Sequence, residues 1–131
     1  MTEKLSVGLK STMERQVEEQ YCTRRAGFSI FSTPNLVLFV EESAITALAP
    51  FLEPHQGCVG SAINLTHVAP TLLGQRVSAT VTINTVDRRR IGFDVEVRDE
   101  VDVISTGTHE RFIIDLNKLA NRLSEKAAKL G

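Results

Sequence analysis

The feature that most constrains the fold is one segment, residues 34–51, that is apolar on nearly every face of a helix. Ser32 and Thr33 precede its first proline, and hydroxyl side chains before a proline are typical of a helix start. Either hydroxyl can cap the helix, and Thr33 is left free if Ser32 is the cap. Pro50 and Pro54 predict the end of the helix. Because a helix that is apolar all round has to be covered, the sequence predicts that the rest of the chain wraps it.

The covering elements are predicted as β-strands from their alternation. Residues 77–84 and 91–98 alternate apolar with polar side chains, which is typical of antiparallel strands with one buried face. Residues 57–69 and 101–116 are predicted as further strands. Residues 11–21 favour a first strand, with a helix as the alternative. We expect the four strands after the helix to form a meander.

The remaining segments complete a single domain over residues 1–131, which is a length that fits one domain. Residues 1–10 are predicted as a short arm, 23–32 as a loop and 117–130 as a C-terminal helix. The fold class is therefore α+β, with an antiparallel sheet of about five strands wrapped around one long buried helix. The exposed edges of such a sheet favour pairing into a homodimer.

Composition excludes several classes of partner. The chain has 15 basic and 16 acidic residues, 5% aromatic residues and no Trp, so neither a basic patch nor a base-stacking platform for nucleic acid is expected. No run approaches the roughly 20 apolar residues of a membrane span, and the N-terminus lacks the apolar core of a signal peptide. Cys22 and Cys58 have no metal-like spacing and are expected to be reduced thiols. These features predict a cytoplasmic protein without a membrane or nucleic-acid partner.

Three side chains within or near the apolar segment are candidates for chemistry. Glu41 lies on the apolar row of the helix, where a carboxylate needs hydrogen-bonding company; alternatively, Glu41 and Glu42 both face a solvated gap. His67 follows small residues that allow a ligand to approach, although a histidine in a strand can be structural. Thr33 is either a simple cap or a hydroxyl placed at the positive end of the helix dipole.

Arginines supply a second group of candidates. The run 88–90 is either a solvated turn or a phosphate contact for a ligand such as coenzyme A. Arg111 lies in a predicted strand and either forms an ion pair or contacts substrate. No phosphate-binding loop, dinucleotide fingerprint or metal-ligand cluster is present in the sequence.

Three blocks of the sequence resemble the fluoroacetyl-CoA thioesterase family, a branch of the hot-dog fold thioesterases. They are Ala-Pro-Phe-Leu-Glu-Pro at 49–54, Val-Gly-Ser-Ala followed by Leu-Thr-His over 59–67, and Ser-Thr-Gly-Thr-His-Glu-Arg at 105–111. Their order and spacing match the family, and the resemblance covers about 33–116.

The resemblance implies that Thr33, Glu41 and His67 are catalytic. Glu41 is then either a general base on water or the nucleophile, and Thr33 either hydrogen-bonds that carboxylate or is itself the nucleophile. His67 either orients the substrate or protonates the leaving thiolate. It also implies that Gly60 lies near the acyl group and that Arg111 lies on the substrate side. The implied fold is a hot-dog domain that works as a homodimer. The implied reaction is hydrolysis of a short-chain acyl-CoA, halogenated or otherwise substituted, to the free acid and CoA. Coenzyme A would enter as part of the substrate, with no separate cofactor and no metal.

One segment departs from the family. The linker over residues 22–32 is shorter than the family segment that carries a phenylalanine-bearing lid over the acyl pocket. Thioesterase chemistry can therefore carry over without fluoroacyl selectivity. Two other functions remain on this fold: an acyl-CoA-binding module without turnover, and an enoyl-CoA hydratase. The lack of a second obvious acid in the strand after the helix disfavours the hydratase.

Overall fold

The computed structural model describes residues 4–131, and across that range the chain forms seven strands and two α-helices. In chain order they are β1 Lys10–Gln16, β2 Cys22–Arg25, β3 Phe28–Phe31, α1 Thr33–Leu48, β4 Gln56–Leu65, β5 Arg76–Asp87, β6 Arg90–Arg98, β7 Val103–Asp115 and α2 Leu116–Ala128. The α+β class, the five-stranded antiparallel sheet around a long helix and the C-terminal helix are confirmed. Neither α-helix in this range is long and apolar enough to cross a membrane.

The main sheet has the strand order β1-β5-β6-β7-β4. Strands β5, β6 and β7 form a meander as predicted, but the prediction that β4 belongs to it is wrong. Strand β4 instead pairs with β7, from Gln56 opposite Asp115 to Leu65 opposite Gly107. Both edges of β5 are occupied, one by β1 and the other by β6. Strand β4 can therefore join the sheet only at its far edge.

Helix α1 begins after Ser32, whose Oγ accepts the amide N–H of Asn35 at 3.4 Å and its side-chain N–H at 2.7 Å. Ser32 is therefore the cap, and the hydroxyl of Thr33 is left for other contacts. The helix packs one face against the sheet, and its buried side chains are Leu36, Phe39, Val40, Ser43, Ala44 and Leu48.

The opposite face of α1 is open in the single chain. Leu38 is 47% exposed and Ile45 is 43% exposed. The prediction of a helix buried on every face is therefore wrong for the single chain. A sheet of five strands covers only one side of a helix, so the apolar row on the other side has no cover from the described chain.

Residues 23–32 were predicted as a loop, and this prediction is wrong. They belong to a β-hairpin of β2 and β3, which pair from Cys22 opposite Phe31 to Arg25 opposite Phe28. The two residues of its turn, Ala26 and Gly27, have φ of 51° and 83°. Positive φ at both central residues is the hairpin geometry that matches strand twist. The hairpin forms its own two-stranded sheet, separate from the main one.

Candidate active site

The start of α1 brings together two of the predicted residues. Thr33 Oγ1 lies 2.8 Å from His67 Nδ1, within hydrogen-bond distance. Thr33 holds this position because Ser32 caps the helix, and His67 follows the end of β4. Spacing alone did not place these residues in contact, since 34 positions separate them. The pair has the composition of a hydroxyl nucleophile and its base.

The other nitrogen of His67 is enclosed. His67 Nε2 is buried and has no hydrogen-bond partner among residues 4–131. Burial lowers the pKa of His67 below its usual value, because a protonated ring would place a positive charge in this partly enclosed position. His67 is therefore neutral near pH 7, which is the form that can accept a proton.

The first turn of α1 offers few free backbone donors. Pro34 has no N–H, the Asn35 amide donates to Ser32 Oγ, and the Leu36 amide donates to Ser32 O at 2.9 Å. The amide of Thr33 is the donor that remains in this turn. Backbone stabilisation of an oxyanion at this helix start therefore depends on that single amide and the helix dipole.

An open cavity of about 380 Å³ lies beside the pair. It is bounded by the β2–β3 hairpin, the start of α1 and the segment that follows β4. Its lining residues are Thr23, Arg25, Ile30, Phe31, Ser32, Thr33, His67, Val68, Ala69 and Pro70. The reactive pair thus faces a space with mostly apolar walls.

Glu41 lies further along α1, against the sheet. Its Oε2 is 3.4 Å from Nη1 of Arg111, whose side chain is buried. Gly60 completes this contact, because a Cβ at that position would lie 2.9 Å from Glu41 Oε2 and 3.1 Å from Arg111 Nη1. The absence of a side chain at Gly60 leaves room for this contact, and a Cβ there would require the end of the Glu41 side chain to shift. A smaller cavity of about 280 Å³ is lined by Glu41, Gly60, Ser61, Ala62, Ile63 and His109.

Two residues of this cluster were missed by the sequence reasoning. His109 Nδ1 lies 2.8 Å from the carbonyl oxygen of Ala62, which can only accept, so the ring proton is on Nδ1. His109 Nε2 then accepts a hydrogen bond from Arg111 Nη1 at 3.2 Å. Cys58 Sγ accepts another from Arg111 Nε at 3.2 Å.

The available signal for His109 was its position two residues before Arg111, since alternate residues of a strand share a face. Burial lowers the pKa of His109, and the Arg111 cation lowers it further. A neutral His109 therefore orients the guanidinium that faces Glu41.

The predicted residues thus form two groups in the single chain. Thr33 contacts His67, and Glu41 contacts Arg111 beside Gly60. Thr33 and Glu41 are eight residues apart on α1, or about 12 Å along its axis. No direct hydrogen bond joins the two groups among the contacts of residues 4–131.

The arginine run lies at the β5–β6 turn, as predicted. Arg90 forms ion pairs with Asp87 at 3.5 Å and with Glu110 at 3.1 Å. Arg88 has a φ of 60° in the turn, and both Arg88 and Arg89 are exposed. The structure therefore gives Arg90 a role in holding the turn.

The sequence and the fold match one family. The sequence model of the fluoroacetyl-CoA-specific thioesterase family matches residues 12–117. The fluoroacetyl-CoA thioesterase of Streptantibioticus cattleyicolor is 39% identical over 97 residues, which cover 74% of this chain and 70% of that protein.

Solved structures agree. A structure of the fluoroacetyl-CoA thioesterase superposes with a TM-score of 0.88 at 34% identity, covering 95% of this chain and 98% of that one. A hot-dog-like protein from Thermanaerovibrio acidaminovorans, at 23% identity, superposes with a TM-score of 0.84 over 92% of this chain and 91% of that one. The hot-dog fold expected from the sequence is confirmed. The chain belongs to the fluoroacetyl-CoA-specific thioesterase family.

Proposed function

We propose that this protein hydrolyses the thioester of a short-chain acyl-CoA, releasing the free acid and CoA. The observation that carries the proposal is the hydrogen bond between Thr33 and neutral His67 at a helix start that faces a cavity. The curated relative is named a fluoroacetyl-CoA thioesterase. Coenzyme A is part of the substrate, and the reaction needs no further cofactor.

In the first step Thr33 attacks the thioester carbonyl carbon through Oγ1. His67 accepts the hydroxyl proton at Nδ1, the nitrogen that faces Thr33. The negative charge that develops on the carbonyl oxygen lies near the Thr33 amide and the positive end of α1. Collapse of this intermediate expels the CoA thiolate, which takes the proton from His67. An acyl ester on Thr33 and free CoA are the products.

In the second step water attacks the carbonyl carbon of the acyl ester while Glu41, as general base, accepts a proton from that water. The ester bond to Thr33 Oγ1 then breaks, the proton returns to Oγ1, and the free acid is released. The backbones of Thr33 and Glu41 are about 12 Å apart along the axis of α1, about eight helix rises, and the long Glu41 side chain leans toward the N-terminus of the helix. Arg111 and the space left by Gly60 hold the carboxylate at the sheet. Arg111 is in turn oriented by His109.

The working unit is a homodimer joined along β4. Strand β4 has ten residues and is bonded to β7 on one side only. Val59 and Ile63 on β4 are 40% and 37% exposed, and Leu38 and Ile45 expose the open face of α1. A long exposed edge with aliphatic side chains favours pairing with a second copy.

Light scattering on the purified protein tests the dimer. The expected mass is twice the 14.4 kDa of the chain. Ile63→Lys should shift the protein toward the monomer, because a charge on an edge strand opposes pairing. The control Val101→Lys changes a residue that is 79% exposed in the β6–β7 turn and should leave the mass unchanged. A monomer at tens of micromolar wild-type protein would refute the proposal.

Replacing His67 with alanine tests the hydrolytic site. We expect CoA release to fall about 100-fold, because Thr33 loses the group that accepts its proton. The measurement is the rate of free thiol formation from acetyl-, propionyl-, butyryl- and fluoroacetyl-CoA. His55→Ala is the matched control, since His55 is exposed before the other end of β4.

Equal rates for His67→Ala and wild type would remove His67 from the mechanism. Tight acyl-CoA binding with no release of CoA by the wild type would identify a binding module instead of an enzyme. Loss of the enoyl absorbance of crotonyl-CoA without thiol release would identify a hydratase.

A further inference from the structure

The cavity beside Thr33 combines apolar walls with one cationic side chain. Ile30, Phe31, Val68, Ala69 and Pro70 supply the walls, and Arg25 is the lining residue that carries a fixed charge. Apolar walls fit the methylene groups of an acyl chain. Arg25 is exposed, so its guanidinium is available to a ligand that enters this open cavity.

Arg25 has unused hydrogen-bonding capacity. Its Nη1 donates to Thr23 Oγ1 at 2.9 Å and to the carbonyl oxygen of Arg24 at 2.7 Å, and both acceptors are neutral. Within residues 4–131 it forms no ion pair, and no Asp or Glu lines the cavity. By contrast, Arg90 and Arg111 are paired with carboxylates. A guanidinium has five N–H donors in a planar fork that matches a carboxylate.

The hairpin fixes the distance between Arg25 and the reactive pair. Cys22 pairs with Phe31, which precedes Ser32 and Thr33, and Arg25 lies three residues further along β2. Three strand residues span about 10 Å. The hydrogen bond to Thr23 bends the guanidinium back toward the helix start and shortens that span. A short acyl chain can therefore bridge Thr33 and Arg25.

We propose that the preferred substrate is an acyl-CoA of a short dicarboxylic acid, with three to five carbons in the acyl group. Its distal carboxylate is bound by Arg25 while the thioester carbonyl lies at Thr33. This inference rests on the proposed function and names the substrate class of the same site. Arg25 is thus a specificity-determining residue on the hairpin, at the segment where the chain departs from its family.

The test compares substrates that differ only in the distal group. Propionyl-, butyryl- and valeryl-CoA are compared with malonyl-, succinyl- and glutaryl-CoA as substrates of the wild type and Arg25→Met. We expect wild-type kcat/KM to favour succinyl- over butyryl-CoA by about tenfold, as a charge-assisted pair at a partly open site allows. Arg25→Met should reduce that ratio to about one, and Arg25→Lys should retain part of it. Arg122→Met, on the exposed face of α2, removes the same charge elsewhere and should leave the ratio unchanged.

The phosphates of CoA are the other anionic groups that Arg25 could bind. The ratio of kcat/KM for succinyl-CoA to that for butyryl-CoA distinguishes a phosphate contact from a contact with the distal carboxylate. If Arg25 binds a CoA phosphate, Arg25→Met lowers kcat/KM equally for every acyl-CoA, which overturns the proposal. An unchanged ratio in Arg25→Met overturns it as well. Calorimetric binding of succinyl- and butyryl-CoA gives an independent readout. If the wild type binds succinyl-CoA more tightly in an Arg25-dependent way but releases no CoA, the carboxylate site stands and the proposed hydrolysis fails.

Discussion

Glu41→Gln should lower the turnover of acyl-CoA about 1,000-fold, within the range expected for the loss of a positioned general base. Glutamine keeps the size of the side chain and its reach toward Arg111 but cannot accept a proton. The buried Arg111 guanidinium would also lose its anionic partner at 3.4 Å. Its contacts with His109 and Cys58 would remain, so we expect the unfolding free energy to fall by only about 1 kcal/mol.

Glu42→Gln is the matched control for this experiment. Glu42 is the next residue on α1 and pairs with Arg15 at 3.1 Å, on another side of the helix. A half-exposed ion pair contributes about 0–1 kcal/mol, and turnover should stay within about twofold of wild type, because no catalytic role is assigned to it. Thiol release and thermal unfolding are measured on both variants. Comparable activity of Glu41→Gln and wild type would exclude Glu41 as the base.

Gly107→Ala should destabilise the protein by about 3 kcal/mol, at the upper end for an inserted methyl group. Gly107 in β7 has a φ of 158°, and a Cβ there would lie 1.9 Å from the backbone oxygen of Asn64 in β4. No side-chain rotation can relieve a contact with backbone. Strand β4 would have to move away from β7, and His67 follows β4 directly.

Thr108→Ala is the control because Thr108 is the exposed neighbour of Gly107 in β7. Replacing Thr108 with alanine should lower the free energy of unfolding by less than about 1 kcal/mol, because alanine has a weaker strand preference than threonine. For a domain of this size, 3 kcal/mol corresponds to a fall in Tm of about 10 °C. Calorimetry of the two variants measures the difference. A Gly107→Ala protein with wild-type Tm would mean that β4 and β7 are further apart than described.

The main elements were predictable because their periodicity follows directly from burial. Alternation along β5 and β6 indicates one solvent-exposed face, and the largely apolar character of α1 indicates a helix that packs against the core. The partner of β4 was not predictable from alternation. Pairing depends on which strand edges are already occupied, and that is a property of the whole sheet.

The hairpin was missed for a local reason. Its turn is Ala26-Gly27, and alanine is a poor indicator of positive φ compared with asparagine or aspartate. Side-chain hydrogen bonds within the hairpin stabilise it. Arg24 donates to Ser29 Oγ and to the Gly27 carbonyl oxygen. Such contacts cannot be inferred from four-residue strands.

The sequence predicted some members of the candidate site but not its geometry. Thr33 and His67 were candidates from the sequence pattern, the family resemblance implied a catalytic role for them, and the structure adds their hydrogen bond. The support of Arg111 by His109 and Cys58 was not anticipated, because it depends on the registration of β4 against β7. The register between two strands is set by all the backbone hydrogen bonds that join them, and no single residue indicates it.

The separation of the hairpin from the main sheet bears on how such enzymes diversify. The hairpin is a separate two-stranded sheet, and its end at Phe31 is anchored in the core against Phe39 of α1. Changes in the length or charge of its exposed turn therefore leave the ladder of the main sheet intact. On the proposal that Arg25 sets the acyl preference, a change of preference requires only substitutions at the exposed turn of this ten-residue hairpin, with little effect on folding. A search for new acyl preferences by mutagenesis should therefore begin with the residues of the β2–β3 hairpin.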